Sequence, residues 1–444
     1  MKRSLVTAAV AAAVLFAAAP AAAQPSRSEP YLPVGGADAA GPDRYDRTWV
    51  RVFGPRSARR VLVLVPGTFG GAGSFTLVAR DIVRRVRGLQ VWAWDRRPNA
   101  FEDTSVFARR DPDAAYAYYL RFEEVGGRRF RPVSGSEATF VRDWGLEVCL
   151  EDLRRVVRRA RRGGRQVILG GHSLGASTVE AYASWDFRGH PGYRDIEGLV
   201  LVDGGLMSGS PPSLADLGRE LGEIRNGNPF ADLLGLGLPY AAGVFVQTGA
   251  LYARKRPRGP ATLQDFEFLP PAFRPPFRVT NEALLGYALD QDTSPRQLTG
   301  IQVQSGRLAF HGDPRHWVDT EVTPVQRLAR ALSGEPGNFV EWYFPRRLAL
   351  DLRAADALAR DARARLLGLR TWHRRKIDVP AYVFQTLMAR GRVFRNAKRL
   401  VRGSPIPSMA LVGDENHSHL DPLTARPSKN TFLETVVPFL RAVR

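Results

Sequence analysis

The sequence predicts an α/β protein: a mostly parallel sheet flanked by helices, with a large, mainly helical insertion between its late strands. Three observations carry this. Short uninterrupted apolar runs alternate with amphipathic stretches, the pattern of central strands covered on both faces by helices. A Gly-x-Ser-x-Gly stretch, Gly171-His172-Ser173-Leu174-Gly175, joins one such run to a helical segment. The alternation then dissolves after Gly205 and resumes only near Val379.

Residues 24–45, rich in Pro, Gly, Ala and Ser, read as a flexible lead-in, and the fold starts near Thr48. Val61-Leu62-Val63-Leu64-Val65 is a buried strand that runs into a glycine-rich turn, Pro66-Gly67-Thr68-Phe69-Gly70-Gly71. A helix over 74–86, a strand over 89–94, a long loop with Asp111-Pro112 and a helix over 144–161 follow. Gln166-Val167-Ile168-Leu169 is the next strand, followed by a helix from Ala176 and a strand over 196–202. Strands alternating with helices imply parallel pairing through right-handed crossovers. Strands return over 379–384 and 408–412. The domain reading is therefore a core of 46–205 and 376–444 interrupted by a cap over 206–375. So long an insertion needs ordered structure and a core of its own, with helices over 348–367. Its two aromatic groups, 266–277 and 339–345, are read as that core or as the wall of a substrate channel. No internal repeat is present.

Composition sets the class. The chain has 444 residues, 44% hydrophobic and 24% charged, enough to bury a large core. Lys2 and Arg3 precede an apolar, Ala-rich run from Leu5 to Ala19, and Ala21-Ala22-Ala23 follow, the order of a secretory signal peptide cleaved after Ala23. An uncleaved anchor is the rival reading, disfavoured because alanine is only weakly apolar. The expected destination is therefore secreted or periplasmic. Cys149 is the sole cysteine, so no intramolecular disulfide can form, and it reads as a buried apolar residue. Loss of Lys2 and Arg3 with the leader would take the formal charge from +20 to +18. Such a charge attracts an anionic cell envelope weakly. The basic residues are nearly all Arg and are spread along the whole chain, which argues against a specific nucleic-acid site.

A serine hydroxyl needs a neighbouring base and an exposed position before it attacks a carbonyl. A strand ending in a sharp turn into a helix exposes it, glycines on either side let the chain approach closely, and the helix N-terminus favours a developing oxyanion. Ser173 meets both contexts. Strand, Gly170-Gly171-His172-Ser173-Leu174-Gly175-Ala176 and helix resemble the nucleophile elbow of the α/β-hydrolase superfamily, especially its lipases and esterases.

That resemblance covers about 48–205 and 376–444, and it implies the remaining roles. Ser173 is the nucleophile. One oxyanion donor is the backbone N–H of Leu174, and the other comes from the loop over 66–71, from Thr68 or alternatively Phe69. Many relatives carry His-Gly where this chain has Pro66-Gly67. The base is a histidine after the last strand, where His417 and His419 compete. His419 is favoured because Asp421-Pro422 resemble an N-cap and first-turn pair just beyond it. The usual position of the acid, after the strand over 379–384, is empty, since no Asp or Glu occurs from Val379 through Gly413. Asp203, at the end of the strand over 196–202, takes its place, as pancreatic-type lipases resemble; Asp414, Glu415 and a cap residue are the alternatives. His172 is expected to be packed or bonded to backbone.

Other groupings weigh less. His311-Gly312-Asp313-Pro314-Arg315-His316 lacks the regular geometry of a metal site, and Gly70-Gly71-Ala72-Gly73 lacks the P-loop lysine. No cofactor and no metal are expected. The expected activity is a secreted serine hydrolase that cleaves small-molecule or lipid carboxylic esters with a hydrophobic acyl or alcohol part through an acyl-enzyme. A secreted acyltransferase with the same triad is the nearest alternative, and a non-catalytic binding protein on this scaffold the next. Oligomeric state is not legible.

Overall fold

The computed structural model describes residues 29–206, 211–296, 298–334, 337–356 and 361–443. The leader expected over 1–23 and its expected cleavage point lie outside the described residues. Eight strands form the main sheet: β1 (Tyr31–Gly35), β2 (Arg47–Phe53), β3 (Arg60–Val65), β4 (Leu89–Asp95), β5 (Gln166–His172), β6 (Gly198–Val202), β7 (Ala381–Thr386) and β8 (Met409–Asp414). Their order is β1-β2-β4-β3-β5-β6-β7-β8. β1 and β2 run antiparallel and β2 meets β4 antiparallel, while every other pairing is parallel.

β1 corrects the lead-in expected over 24–45. Tyr31 pairs with Arg51 and Gly35 with Arg47, and the Tyr31 hydroxyl donates to Asp95 at 2.7 Å. Pro33 disguised this strand, but an edge strand tolerates a residue without an N–H.

Helices cover both faces of the sheet. On one side α1 (Thr76–Arg85) and the C-terminal helix over Thr431–Ala442 pack Val78, Ile82, Leu433 and Val436 against Leu62, Leu64 and Val91. On the other, α2 (Leu146–Arg161) and α3 (Leu174–Ser184) pack Leu150, Leu153 and Val179 against Val61, Val63 and Leu169. Cys149 lies buried on α2, and burial pushes its thiol up to about 12, so it stays protonated.

The segment between β6 and β7 contains α4 (Leu214–Asn226), α5 (Ala241–Lys255), α6 (Asn281–Leu289), α7 (Val325–Leu332) and α8 (Arg346–Ala354). A core of its own was expected here, and the insertion has one in part, sharing the rest with the flanking chain. α4 and α8 join the cluster of α2, while α5, α6 and α7 close on one another together with Leu77 and Leu420. Trp342 and Tyr343 join Phe101, Tyr119 and Trp144. Among the described residues no helix is long and apolar enough to cross a membrane.

Candidate active site

Parallel register brings the C-terminal ends of the central strands to one edge, where open α/β sheets hold their ligands. Gly171 on β5 is level with Val65 on β3 and Leu201 on β6, and Phe384 on β7 with Val202 on β6. Chain leaving these ends must carry the site.

At the end of β5 the backbone of Ser173 takes φ 56° and ψ −126°, a conformation that side-chain-bearing residues avoid. It persists because the surroundings fix it. The Ser173 N–H donates to Val202 O at 2.8 Å, and the neighbouring glycines leave room for crossing backbone. A Cβ on Gly171 would collide with the Gly175 carbonyl, and one on Gly175 with that of Val65. α3 starts at Leu174, earlier than the sequence suggests, so the Leu174 N–H is the first of the helix and has no acceptor within it.

At the end of β6 Asp203 is buried and also has a positive φ, 49°. His419 donates from Nδ1 to its Oδ2 at 2.6 Å. Thr386, which ends β7 near the position that the resemblance gives to a carboxylate and the sequence leaves empty, donates its N–H to Asp203 Oδ1 at 2.9 Å and its hydroxyl to Oδ2. Burial opposes the charge on Asp203, but His419 and the two Thr386 donors outweigh it and hold the carboxyl below the usual range. With Nδ1 committed, the other ring nitrogen of His419 is left to the cavity side.

His172 holds the loop of His419. Burial, then the neighbouring His419, pushes it down to about 3, so it is neutral, and its Nε2–H donates to the His419 carbonyl at 2.8 Å. Asp421 is the first residue of a short helix, Asp421–Thr424, rather than its N-cap, which is Leu420. Its carboxyl turns back to accept from Ser418 N–H at 2.7 Å and the Thr323 hydroxyl at 2.6 Å. His417 goes elsewhere: it is buried, faces the Phe384 ring, and stands 3.1 Å from Asp414 without hydrogen-bond alignment. Asp414 also accepts from Thr431, and Glu415 is exposed.

Ser173, His419, Thr68 and Phe69 line one cavity of about 340 Å³. Its remaining wall is mostly apolar, with Phe245, Leu285, Leu332 and Phe339 from the insertion and Leu420 and Leu423 from the segment after β8. Leu269, Pro270 and Phe273 of the aromatic stretch over 266–277 also line it, while Trp342 of the second group is packed in the core. Gly67 touches Ser173, since a Cβ there would lie 2.9 Å from Ser173 Cβ. Among the described residues no group of three or more His, Cys, Asp or Glu is placed to hold a metal ion.

Sequence reasoning missed Thr386, Arg96 and Glu341. Arg96 is buried behind the loop over 66–71, where its guanidinium donates to the carbonyls of Pro66, Gly67 and Gly70 and to Glu341. An arginine in an arginine-rich chain gives no signal of such a place.

No family model matches the sequence, and no curated protein matches it. Solved structures do. A protein of Sulfolobus solfataricus proposed to be a lipase is 16% identical, with 94% of this chain and 100% of that one covered and a TM-score of 0.49. An epoxide hydrolase from Mycobacterium thermoresistibile is 14% identical over 94% and 99%, with a TM-score of 0.43. An esterase from Thermogutta terrifontis is 12% identical over 93% and 99%, with a TM-score of 0.37. The sheet order, its single antiparallel end and the sharp turn from β5 into α3 make this an α/β-hydrolase fold.

Proposed function

We propose that the protein is an exported serine hydrolase that cleaves carboxylic esters with a hydrophobic acyl or alcohol part. The observation that carries this reading is the 2.6 Å contact of His419 Nδ1 with Asp203, with His419 and Ser173 facing the same apolar cavity. Ser173 Oγ attacks the ester carbonyl carbon while His419 Nε2 takes its proton. The tetrahedral oxyanion is held by the N–H groups of Leu174 and Thr68. His419 then gives the proton to the departing alcohol, leaving an acyl group on Ser173. Water, deprotonated by the same nitrogen, attacks that acyl group; collapse releases the acid and restores the hydroxyl. Asp203 keeps the imidazole in the tautomer this needs and stabilises the imidazolium. Apolar walls favour substrates that bring a hydrocarbon part to the polar groups at the site. Export rests on the leader-type sequence of residues 1–23.

The test is hydrolysis of p-nitrophenyl esters of increasing chain length, together with labelling by a fluorophosphonate. The mature protein is expected to turn over the esters and to form a covalent adduct, and Ser173→Ala to lose both. Failure of the wild type to label, or equal labelling of Ser173→Ala, would overturn the reading.

A further inference from the structure

The loop that follows β3 is held from behind by a buried cation. Arg96 Nη2 donates to Gly67 O at 3.0 Å and also to Pro66 O, and Nη1 donates to Gly70 O at 3.2 Å. Three carbonyls of five consecutive residues thus converge on one guanidinium. Nη1 also pairs with Glu341 Oε2 at 2.6 Å, and both side chains are nearly without exposure. Glu341 belongs to the insertion, whose chain runs along the loop: its N–H donates to Phe69 O at 2.8 Å, and Gly71 N–H donates to Phe339 O at 2.9 Å.

This has a stereochemical consequence. The only cis peptide bond among the described residues is Asp313–Pro314, so the Gly67–Thr68 peptide is trans, with C=O and N–H on opposite sides. Its carbonyl is on Arg96. Its N–H, that of Thr68, therefore points away from Arg96, and Thr68 lines the cavity beside Ser173. The Phe69 N–H belongs to the next peptide, whose carbonyl Arg96 does not hold. A guanidinium on a carbonyl also polarises its amide, which makes the N–H a stronger donor.

We propose that Arg96 is a positioning residue that aims and polarises the Thr68 N–H for the oxyanion, and that Glu341 ties this alignment to the insertion over the site. Resting on the ester-hydrolase reading, the proposal explains why a cation is buried there at all. Arginine suits the place because its planar fork of donors can serve several carbonyls at once.

The experiment compares wild type, Arg96→Met, Arg96→Lys and Glu341→Gln on one p-nitrophenyl ester. Rates are expressed per competent site, counted by end-point fluorophosphonate titration. A trifluoromethyl ketone, which binds as an oxyanionic hemiketal on the nucleophile, measures transition-state complementarity. The loss of one oxyanion donor predicts a fall in kcat of about 100-fold for Arg96→Met, with KM within about threefold. The ketone inhibition constant should rise in proportion to the loss in kcat/KM. Arg96→Lys should recover part of kcat, and Glu341→Gln, which keeps a hydrogen-bond acceptor, should lose less than Arg96→Met. If Arg96→Met does not fold, Arg96→Lys is read by the same split. A per-site kcat near wild type, a loss confined to KM, or an unchanged ketone affinity overturns the proposal. A wild type that neither labels nor turns over strikes the ester-hydrolase reading instead.

Discussion

Asp203 illustrates how a residue becomes what its neighbours permit. It stands one strand earlier than the position at which a carboxylate was sought, and Thr386, at that position, supplies two hydrogen bonds to it. One pair of strand ends thus divides a task between a charge and the donors that hold it. The two histidines separate in the same way. His419 has the carboxylate and the cavity, whereas burial keeps His417 below the ordinary imidazole range, and it does not line the cavity. Steady-state kinetics on a p-nitrophenyl ester should then show His419→Ala without measurable turnover and His417→Ala with kcat within about tenfold of wild type. Asp203→Asn should lower kcat about 10³- to 10⁴-fold, since the amide leaves the imidazole in the wrong tautomer. Undiminished turnover of Asp203→Asn would remove Asp203 from the mechanism. Ser173 was legible because its context is local: strand, glycine, serine, glycine, helix. Asp203 could be singled out by its place at a strand end and by the empty position after β7, with Asp414 and Glu415 left as rivals. Thr386, Arg96 and Glu341 were not, because their partners lie 183, 29 and 245 residues away in sequence.

Among the elements, strands β3 to β8 were readable to within about two residues at most ends, β3 to β7 because near-full burial writes an uninterrupted apolar run and β8, a half-exposed edge strand, because Met409 to Val412 are apolar all the same. The insertion was not. α5 is buried around much of its circumference, at Ala241, Val244, Thr248 and Ala250 among others, and an all-round buried helix has no 3.6-residue stripe to detect. Part of its surface has a separate use: Ala242, Phe245, Val246 and Gly249, at helical spacing, line the cavity. A Cβ on Gly249 would meet one atom, Leu263 Cδ1 at 3.3 Å, a tight contact to which the flexible leucine side chain must yield. Gly249→Leu, with Leu263 displaced, should fill part of the cavity while making the helix intrinsically more favourable by about 1 kcal/mol. The longest well-accepted acyl chain should shorten by roughly three to four carbons, the reach of the added side chain in a close-packed wall. Rates across p-nitrophenyl esters from acetate to palmitate check this: short esters should keep their kcat/KM and long ones lose it. A uniform loss at all lengths would mean that this face of α5 does not meet the acyl chain.

On the scale of the whole molecule, the protein is strongly basic yet encloses carboxyl groups that resist ionisation. Burial pushes Asp95 up to about 6, Glu341 to about 7 and Asp421 to about 8, against partners that pull each one down. All three sit where the flanking chain meets the insertion: Asp95 holds Ala72 N–H with Gly337 of the insertion beside it, Glu341 lies on Arg96, and Asp421 on Thr323. The sign follows from linkage. A carboxyl whose pKa is higher folded than unfolded binds its proton more tightly in the folded state, so unfolding releases protons. Its contribution is fully present below about pH 4, the unfolded value, and is lost as pH rises through the folded value. For Asp421 that window runs from about 4 to about 8, at up to ~1.4 kcal/mol per pH unit. Self-repulsion in a chain of formal charge +20 acts in the opposite direction, since it relaxes as carboxyls ionise. A single stability curve therefore mixes the two effects, and a variant separates them. Asp421→Asn keeps the shape and removes the titration, so chemical denaturation at pH 5, 6, 7 and 8 should give a flatter curve than wild type, with the two converging or crossing toward the alkaline end. Parallel curves would mean that Asp421 titrates alike in both states, and that its buried bonds to Ser418 and Thr323 hold it as an ordinary carboxylate.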